Sequence, residues 1–283
     1  MSHWTPTDFD TTMSFPEPEV NGRVRVDVLG TSIDVLSWRL VGETISQWAS
    51  LRESRYICIC NVHSVITARE DAELALALRG ADLATADGTP VAWMLRRLGH
   101  AGQKRINGPD LMLRYFKQAA ERGESIYLYG STRTTLDALT HRLQHSFPDL
   151  RIAGGYSPPF RPLTVDEDAE VIRQINASGA RTVWVSLGCP KQEKWMADHR
   201  GRIHAVMIGV GAAFDYHAGT LPRAPRWMQK HGLEWMHRLV ADPGRLWRRY
   251  LHTNTVFIVR ATLELLRARF AARLGRPDRC SKV

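Results

Sequence analysis

Apolar residues are distributed along the chain in two alternating patterns: short continuous runs bounded by Gly, Pro or polar residues, and longer stretches with apolar positions three and four apart. The first pattern marks buried strands and the second amphipathic helices. Residues 24–29 read as a first strand ending at Gly30, and 34–49 as a helix. A strand over 56–60 runs into Asn61 and His63, followed by a helix over 65–78. Residues 81–86 lead to Asp87-Gly88 and a helix over 90–98; the 105–110 loop precedes a helix over 111–122. The strand at 125–129 ends at Gly130-Ser131, which opens a helix reaching His145. A short strand near 151–153 enters an aromatic, Pro-rich loop over 154–160 containing Tyr156, and 166–177 is helical.

The strand at 181–187 stops at Gly188, and Lys191, Gln192 and Glu193 occupy the first turn of the next helix. Another strand, 204–210, ends in a Gly-rich segment carrying Gly209, Gly211 and Asp215, and 216–221 reads as a loop. A helix over 226–240 is interrupted at Asp242-Pro243, where Asp as N-cap and Pro as first helical residue start a new helix. Strands alternating with helices predict an α/β fold: a Rossmann-like, mostly parallel sheet with helices on both faces, plus a basic C-terminal helical appendage. The predicted organisation is a flexible leader over 1–22, an α/β domain over 23–221 and the appendage over 222–283.

Charge sharpens this division. The net charge is +9, yet residues 222–283 alone hold 14 Lys and Arg against 4 Asp and Glu, leaving the rest of the chain at −1. The basicity therefore belongs to the appendage and points to an anionic partner there. Arg245, Arg248 and Arg249 share one side of a helix that also carries Trp247, Tyr250 and Phe257. A basic helix with aromatics resembles an element lying on a membrane surface more than a nucleic-acid reader; no nucleic-acid partner is expected, and an α/β protein that binds nucleic acid through the basic C-terminus is the alternative reading. No stretch approaches the roughly 18 uninterrupted apolar residues of a spanning helix. The start of the chain lacks the basic beginning and apolar run of a signal peptide. The 4 cysteines have neither disulfide-framework nor zinc spacing, so no metal is assigned.

Candidate chemistry gathers at strand-to-helix junctions, where exposed N–H groups suit phosphate or sugar oxygens. Asn61, His63, Asp87, Gly130 and the 188–193 turn all occupy such positions, and the glycines at 209 and 211 let backbone approach a ligand. Each also has a plainer role. His63 and Asp87 can cap helices, and 188–193 can be an ordinary αβ turn. The G-x-G at 209–211 lacks the third glycine of a dinucleotide fingerprint, which disfavours a dehydrogenase.

Taken together, the motifs ADG (86–88), RINGPDLM (105–112), LYGS (128–131), GGYSPPF (154–160), LGCPKQEKWM (187–196), GVGAAFDYHAG (209–219) and RAPRWMQKHGLEWMHRL (223–239) are far more specific than any one. Their order resembles the WecG/TagA/CpsF glycosyltransferase family, from about residue 24 to residue 250. The resemblance implies inverting transfer of a hexose or N-acetylhexosamine from a UDP-sugar to an undecaprenyl diphosphate-linked sugar in cell-surface polysaccharide synthesis. It implies no required metal or cofactor and attachment to the cytoplasmic face of the inner membrane. Asp87 is then the general base, with Gln192 and Arg105 in the pocket. Asn61, His63, Gly130, Tyr156, Gly209, Gly211 and Asp215 join the substrate site, whereas Lys191 and Glu193 fit either site or scaffold. Arg238, Arg245 and Arg248 have the 7-then-3 spacing of the family's diphosphate-binding arginines. Several relatives carry Thr where this chain has Ile59, so that hydroxyl is absent or supplied by Ser64. Oligomeric state stays open, although self-association occurs in relatives.

Overall fold

The structure, a computed structural model, describes residues 23–273. The predicted leader and the last ten positions of the basic appendage lie outside the described residues. The chain begins with an antiparallel hairpin, β1 (Arg25–Val28) and β2 (Thr31–Asp34), instead of a strand leading into a helix. Leu29 and Gly30 both take positive φ, 56° and 92°, the pattern of a two-residue hairpin turn whose twist matches its strands. Asp27 Oδ1 accepts from the Gly30 N–H at 2.8 Å and fixes that turn. The helix expected from residue 34 therefore starts later, as α1 (Trp38–Ser50), capped by Ser37.

The remaining strands are β3 (Arg55–Cys60), β4 (Leu83–Ala86), β5 (Ser125–Gly130), β6 (Arg151–Tyr156), β7 (Thr182–Ser186) and β8 (Val206–Gly209). They form a six-stranded sheet in the order β4-β3-β8-β7-β5-β6, with every neighbouring pair parallel. Period-2 alternation drives both faces into cores. Tyr56, Cys58 and Cys60 of β3 enter one core while Ile57 and Ile59 enter the other. In β7, Val183 and Val185 join the first core and Trp184 the second. Trp184 is fully buried, 4.8 Å from Phe116 in an edge contact, and its truncation to Ala would cost about 3–5 kcal/mol.

Helices cover both faces. The first core packs α2 (Val62–Thr67), α3 (Ala72–Gly80), α4 (Thr89–Arg97), α7 (Val165–Ala177) and α8 (Lys191–His199); the second packs α1, α5 (Gly108–Arg122), α6 (Arg133–Ser146) and α9 (Ala213–Ala218). The helix expected over 65–78 is split because Asp71 caps a new start, accepting from Leu74 N at 3.0 Å. The segment expected as a loop at 216–221 is helical through Ala218, where Gly219 at φ 75° ends it. The hairpin shields the exposed edge of β4: buried Asp34 accepts from Ala84 N at 2.7 Å and pairs with Arg23 at 2.8 Å.

The chain leaves β3 through α2 on one face and its neighbour β8 through α9 on the other. That divergence opens a crevice at the carboxyl ends of the strands. Beyond it, the helix expected over 226–240 breaks at Gly232 (φ 73°) into α10 (Arg226–Lys230) and α11 (Glu234–Ala241). Then α12 (Pro243–Arg273) begins at the expected proline and packs Phe257 and Ala261 into the first core.

Candidate active site

Asp87 follows β4 directly, and its backbone N–H donates to the Cys60 carbonyl at 2.8 Å, so it stands beside Asn61 at the end of β3. It does not cap α4. The N-cap position belongs to Gly88, and no side chain bonds there. Residues 105–107 continue past the edge of β4, with Ile106 N donating to the Ala86 carbonyl at 2.9 Å. This sets Arg105 Nε 3.3 Å from Asp87 Oδ1. Burial raises the Asp87 carboxyl above its ordinary range; Arg105 opposes the rise, and Glu234 adds to it. A carboxylate so placed is a better proton acceptor than an exposed one.

Arg105 also forms a close ion pair with Glu234 at the start of α11. Glu234 in turn faces Arg223 Nε at 3.7 Å, and Arg223 Nη1 lies 2.7 Å from Asp110. Burial acts most strongly and raises Asp110, yet the hydrogen bond and charge of Arg223, with Asn107 and Arg105, together outweigh it and hold the carboxyl below its usual range. The charged groups thus alternate from the sheet into the appendage and back.

At the other end of the crevice the groups are mostly hydroxyls. Gly130, at φ 113°, carries the chain across β7 where any Cβ would collide with the Ser186 carbonyl. Ser131 Oγ then lies 3.4 Å from Asp215 Oδ1, Ser157 Oγ donates to the Ser131 carbonyl at 2.7 Å, and Ser186 Oγ donates to the Gly211 carbonyl at 2.8 Å. Gln192 is buried between these parts. Its Oε1 accepts from Gly211 N at 3.1 Å and its Nε2 donates to Glu193 Oε1 at 2.9 Å. A Cβ at Gly209 would sit 3.1 Å from Gln192 Nε2 and 2.7 Å from the Met196 methyl. Oε1 of Gln192 therefore ties the Gly211 turn to α8, while the bond to Glu193 fixes the orientation of the amide. Glu193 is 1% exposed, and burial raises its pKa.

Tyr156 stacks on Tyr129 at 5.9 Å, and Tyr129 on Trp195 at 4.2 Å, which ties Tyr156 to an aromatic column on the first core. Lys191 is exposed on the first turn of α8. His63 bonds Thr67 Oγ1 at 3.1 Å and is held at a pKa of about 4, chiefly by burial, with Arg249 and Arg238 lowering it further. His63 is thus neutral, and Asn61, not His63, caps α2. Among the described residues, no three His, Cys, Asp or Glu side chains converge as a metal-ligand group.

A model of the Glycosyl transferase WecG/TagA/CpsF family matches residues 26–271. The chain belongs to that family. Two relatives from Bacillus spizizenii and Bacillus subtilis, each named N-acetylglucosaminyldiphosphoundecaprenol N-acetyl-beta-D-mannosaminyltransferase, are 32% identical over 197 and 196 residues. In each case the match covers 69% of this chain and 74% of the relative. The chain is a glycosyltransferase.

In this WecG/TagA/CpsF glycosyltransferase the expected arginines are unequally placed. Arg238 lines a small open pocket with Leu221, Pro222, His237 and Leu246. Arg248 is exposed, its guanidinium 5.3 Å over the Trp247 ring. The Arg245 side chain lies outside the described residues. Arg249, absent from the predicted set, points inward instead: its charge helps to lower His63 and opposes the rise that burial imposes on Cys189, and its buried Nε has no hydrogen-bond partner. The signal for Arg249 was its place on the inward stripe of α12, three residues after Leu246 and four before Thr253, both buried. Glu234 and Arg223 were also missed. Glu234 could have been suspected as a rare acid in a basic segment, whereas nothing local in the sequence links it to Arg105.

Proposed function

We propose that this glycosyltransferase moves a hexose or N-acetylhexosamine from a UDP-sugar to an undecaprenyl diphosphate-linked monosaccharide, with inversion at the anomeric carbon. The observation that carries this reading is Asp87, a partly buried carboxylate with a raised pKa beside Arg105 at the mouth of the crevice. Asp87 would take the acceptor hydroxyl proton as that oxygen bonds to the anomeric carbon; the bond from that carbon to the UDP oxygen breaks, and UDP leaves with the electron pair. Backbone N–H groups at the strand ends and arginine side chains suit the charge that develops on the leaving diphosphate. The hydroxyls of Ser131 and Ser186, with Asp215 and the Gly211 turn, suit the polar donor. Gln192 would act by fixing that turn.

The appendage, residues 222–283, is the proposed acceptor-binding unit of the catalytic body at 23–221. Arg238 and Arg249 would meet the lipid diphosphate. No helix among the described residues is long and apolar enough to cross a membrane. Yet Trp247 is 48% exposed, Leu251 64% and Ile258 64% on one side of α12, beside exposed Arg248. Such a face suits lying in the headgroup region of an anionic leaflet, where each Lys or Arg contributes on the order of 1 kcal/mol. The names of the Bacillus relatives, which specify an N-acetylglucosaminyl diphosphoundecaprenol acceptor, support this acceptor class.

The test is a panel of UDP-sugars offered with short-chain polyprenyl diphosphate-linked glucose and N-acetylglucosamine. UDP should appear only when a matched donor and acceptor are both present, with the new linkage inverted relative to the donor. A product of retained configuration would overturn the mechanism, and failure of every pair would overturn the substrate assignment.

A further inference from the structure

We propose that Glu234, carried by the appendage, is a positioning residue that draws the Arg105 guanidinium away from Asp87, so that Asp87 is fully armed as a base only while the appendage is docked. This rests on the reading of Asp87 as the base. Arg105 approaches Asp87 at 3.3 Å through Nε but is held more closely by Glu234 through Nη2. Arg105 and Glu234 are each about a fifth exposed, so their charges act through little water.

The physical consequence follows from charge sharing. A carboxylate that has an arginine to itself loses basicity, because the cation favours its ionised form. Here two carboxylates share Arg105, and Glu234 adds its own negative charge near Asp87. Burial acts to lower Arg105, but the two acids together outweigh it and raise its pKa, which keeps it charged throughout. Glu234 is itself faced by Arg223, whose Nε and Nη2 make no hydrogen bond, and by Tyr216 of α9. Arg223 is anchored to Asp110 at the start of α5, so the pull on Glu234 from that side is fixed by the body. Undocking α11 would remove Glu234 and return Arg105 to Asp87 alone. Docking would thereby be coupled to proton abstraction, although Glu234 need not touch the substrate.

A purely structural role would make Glu234 a fastener of α11 with no effect on the ionisation of Asp87. The test uses the full-length protein, wild type, Glu234→Gln and Glu234→Asp, with two readouts. The first is the carboxyl carbon titration of Asp87, its resonance identified by its loss in Asp87→Asn. The second is the pH dependence of sugar transfer. Glu234→Gln should lower the Asp87 pKa by about one pH unit, shift the acidic limb of kcat/KM in the same direction, and reduce kcat at neutral pH about three- to tenfold as a weaker base replaces a stronger one. Glu234→Asp, which keeps the charge, should recover most of the pKa shift. An unchanged Asp87 titration in Glu234→Gln, with or without reduced thermal stability, would overturn the proposal. A wild type that shows the Asp87 titration and its response to Glu234→Gln but transfers no sugar would instead overturn the proposed activity.

Discussion

The α/β body and the C-terminal helices use the same residue types in opposite ways. In the body, alternating strand residues deliver Val, Ile, Tyr and Trp into two cores, and polar groups emerge only where strands end. In α12, one stripe enters the first core through Phe257 and Ala261, while Trp247, Leu251, Ile258 and Phe270 remain exposed. The body thus completes its first core with one stripe of α12, whereas the rest of that helix leaves large apolar side chains exposed. The two meet through that packing and also through charge, in the chain Asp87, Arg105, Glu234, Arg223 and Asp110. The difference fits the proposed division, in which chemistry is built in the body and the appendage contributes access and cations.

The largest effect should come from the body. Asp87→Asn removes the proposed base without changing side-chain size, and transfer should fall on the order of 10²- to 10⁴-fold, with thermal unfolding little changed. Full activity with an intact fold would break the assignment of chemistry to the body. Replacing Trp247, Leu251 and Ile258 together by Ser should, by contrast, leave the helical circular dichroism intact and reduce sedimentation with anionic vesicles about tenfold or more, given about 1.5–3 kcal/mol for each fully buried large apolar side chain. Undiminished binding would remove the membrane from the account of α12.

How much of this was legible in the sequence differs between the same two regions. Strand positions in the body were readable because continuous apolar runs such as YICIC and TVWVS have no other place than a doubly covered sheet. The N-terminal hairpin was not, because its signal is a Leu-Gly turn with two positive φ angles, an unusual pair for that geometry. Asp87 could be picked out by motif, and its freedom from capping followed only from Gly88 occupying the N-cap. The roles of Arg248 and Arg249 could not be told from charge spacing, which groups them on one side. The apolar stripe on which Arg249 falls was the better guide. The Glu234–Arg105 pair joins residues far apart in the chain and leaves no local pattern at all.

Smaller effects probe the seam. His63 has its folded pKa lowered to about 4 from an ordinary 6.5, so the unfolded chain binds the proton first as pH falls. Its contribution is intact above about pH 6.5 and is lost as pH drops toward 4, by up to about 3 kcal/mol. A pH series of chemical denaturation should show that loss, and His63→Gln should remove it. Arg249→Ala should raise the His63 pKa, measured by the ring proton shifts, because a nearby cation is gone; no change would place α12 away from α2. Smallest of all, Thr164→Ala should cost about 1 kcal/mol by removing the capping box of α7, with transfer unaffected.

The central claim is that body and appendage supply two halves of one site. It is tested most directly by separate donor and acceptor KM values for Arg238→Ala, Arg249→Ala and Arg248→Ala. A charge-assisted bond to the lipid diphosphate is worth about 1.5–3 kcal/mol, so the first two variants should raise acceptor KM about tenfold or more, with donor KM within about twofold of wild type. Arg248→Ala should change acceptor KM less. Loss of donor affinity in the Arg238 and Arg249 variants, with acceptor KM unchanged, would contradict the division of labour.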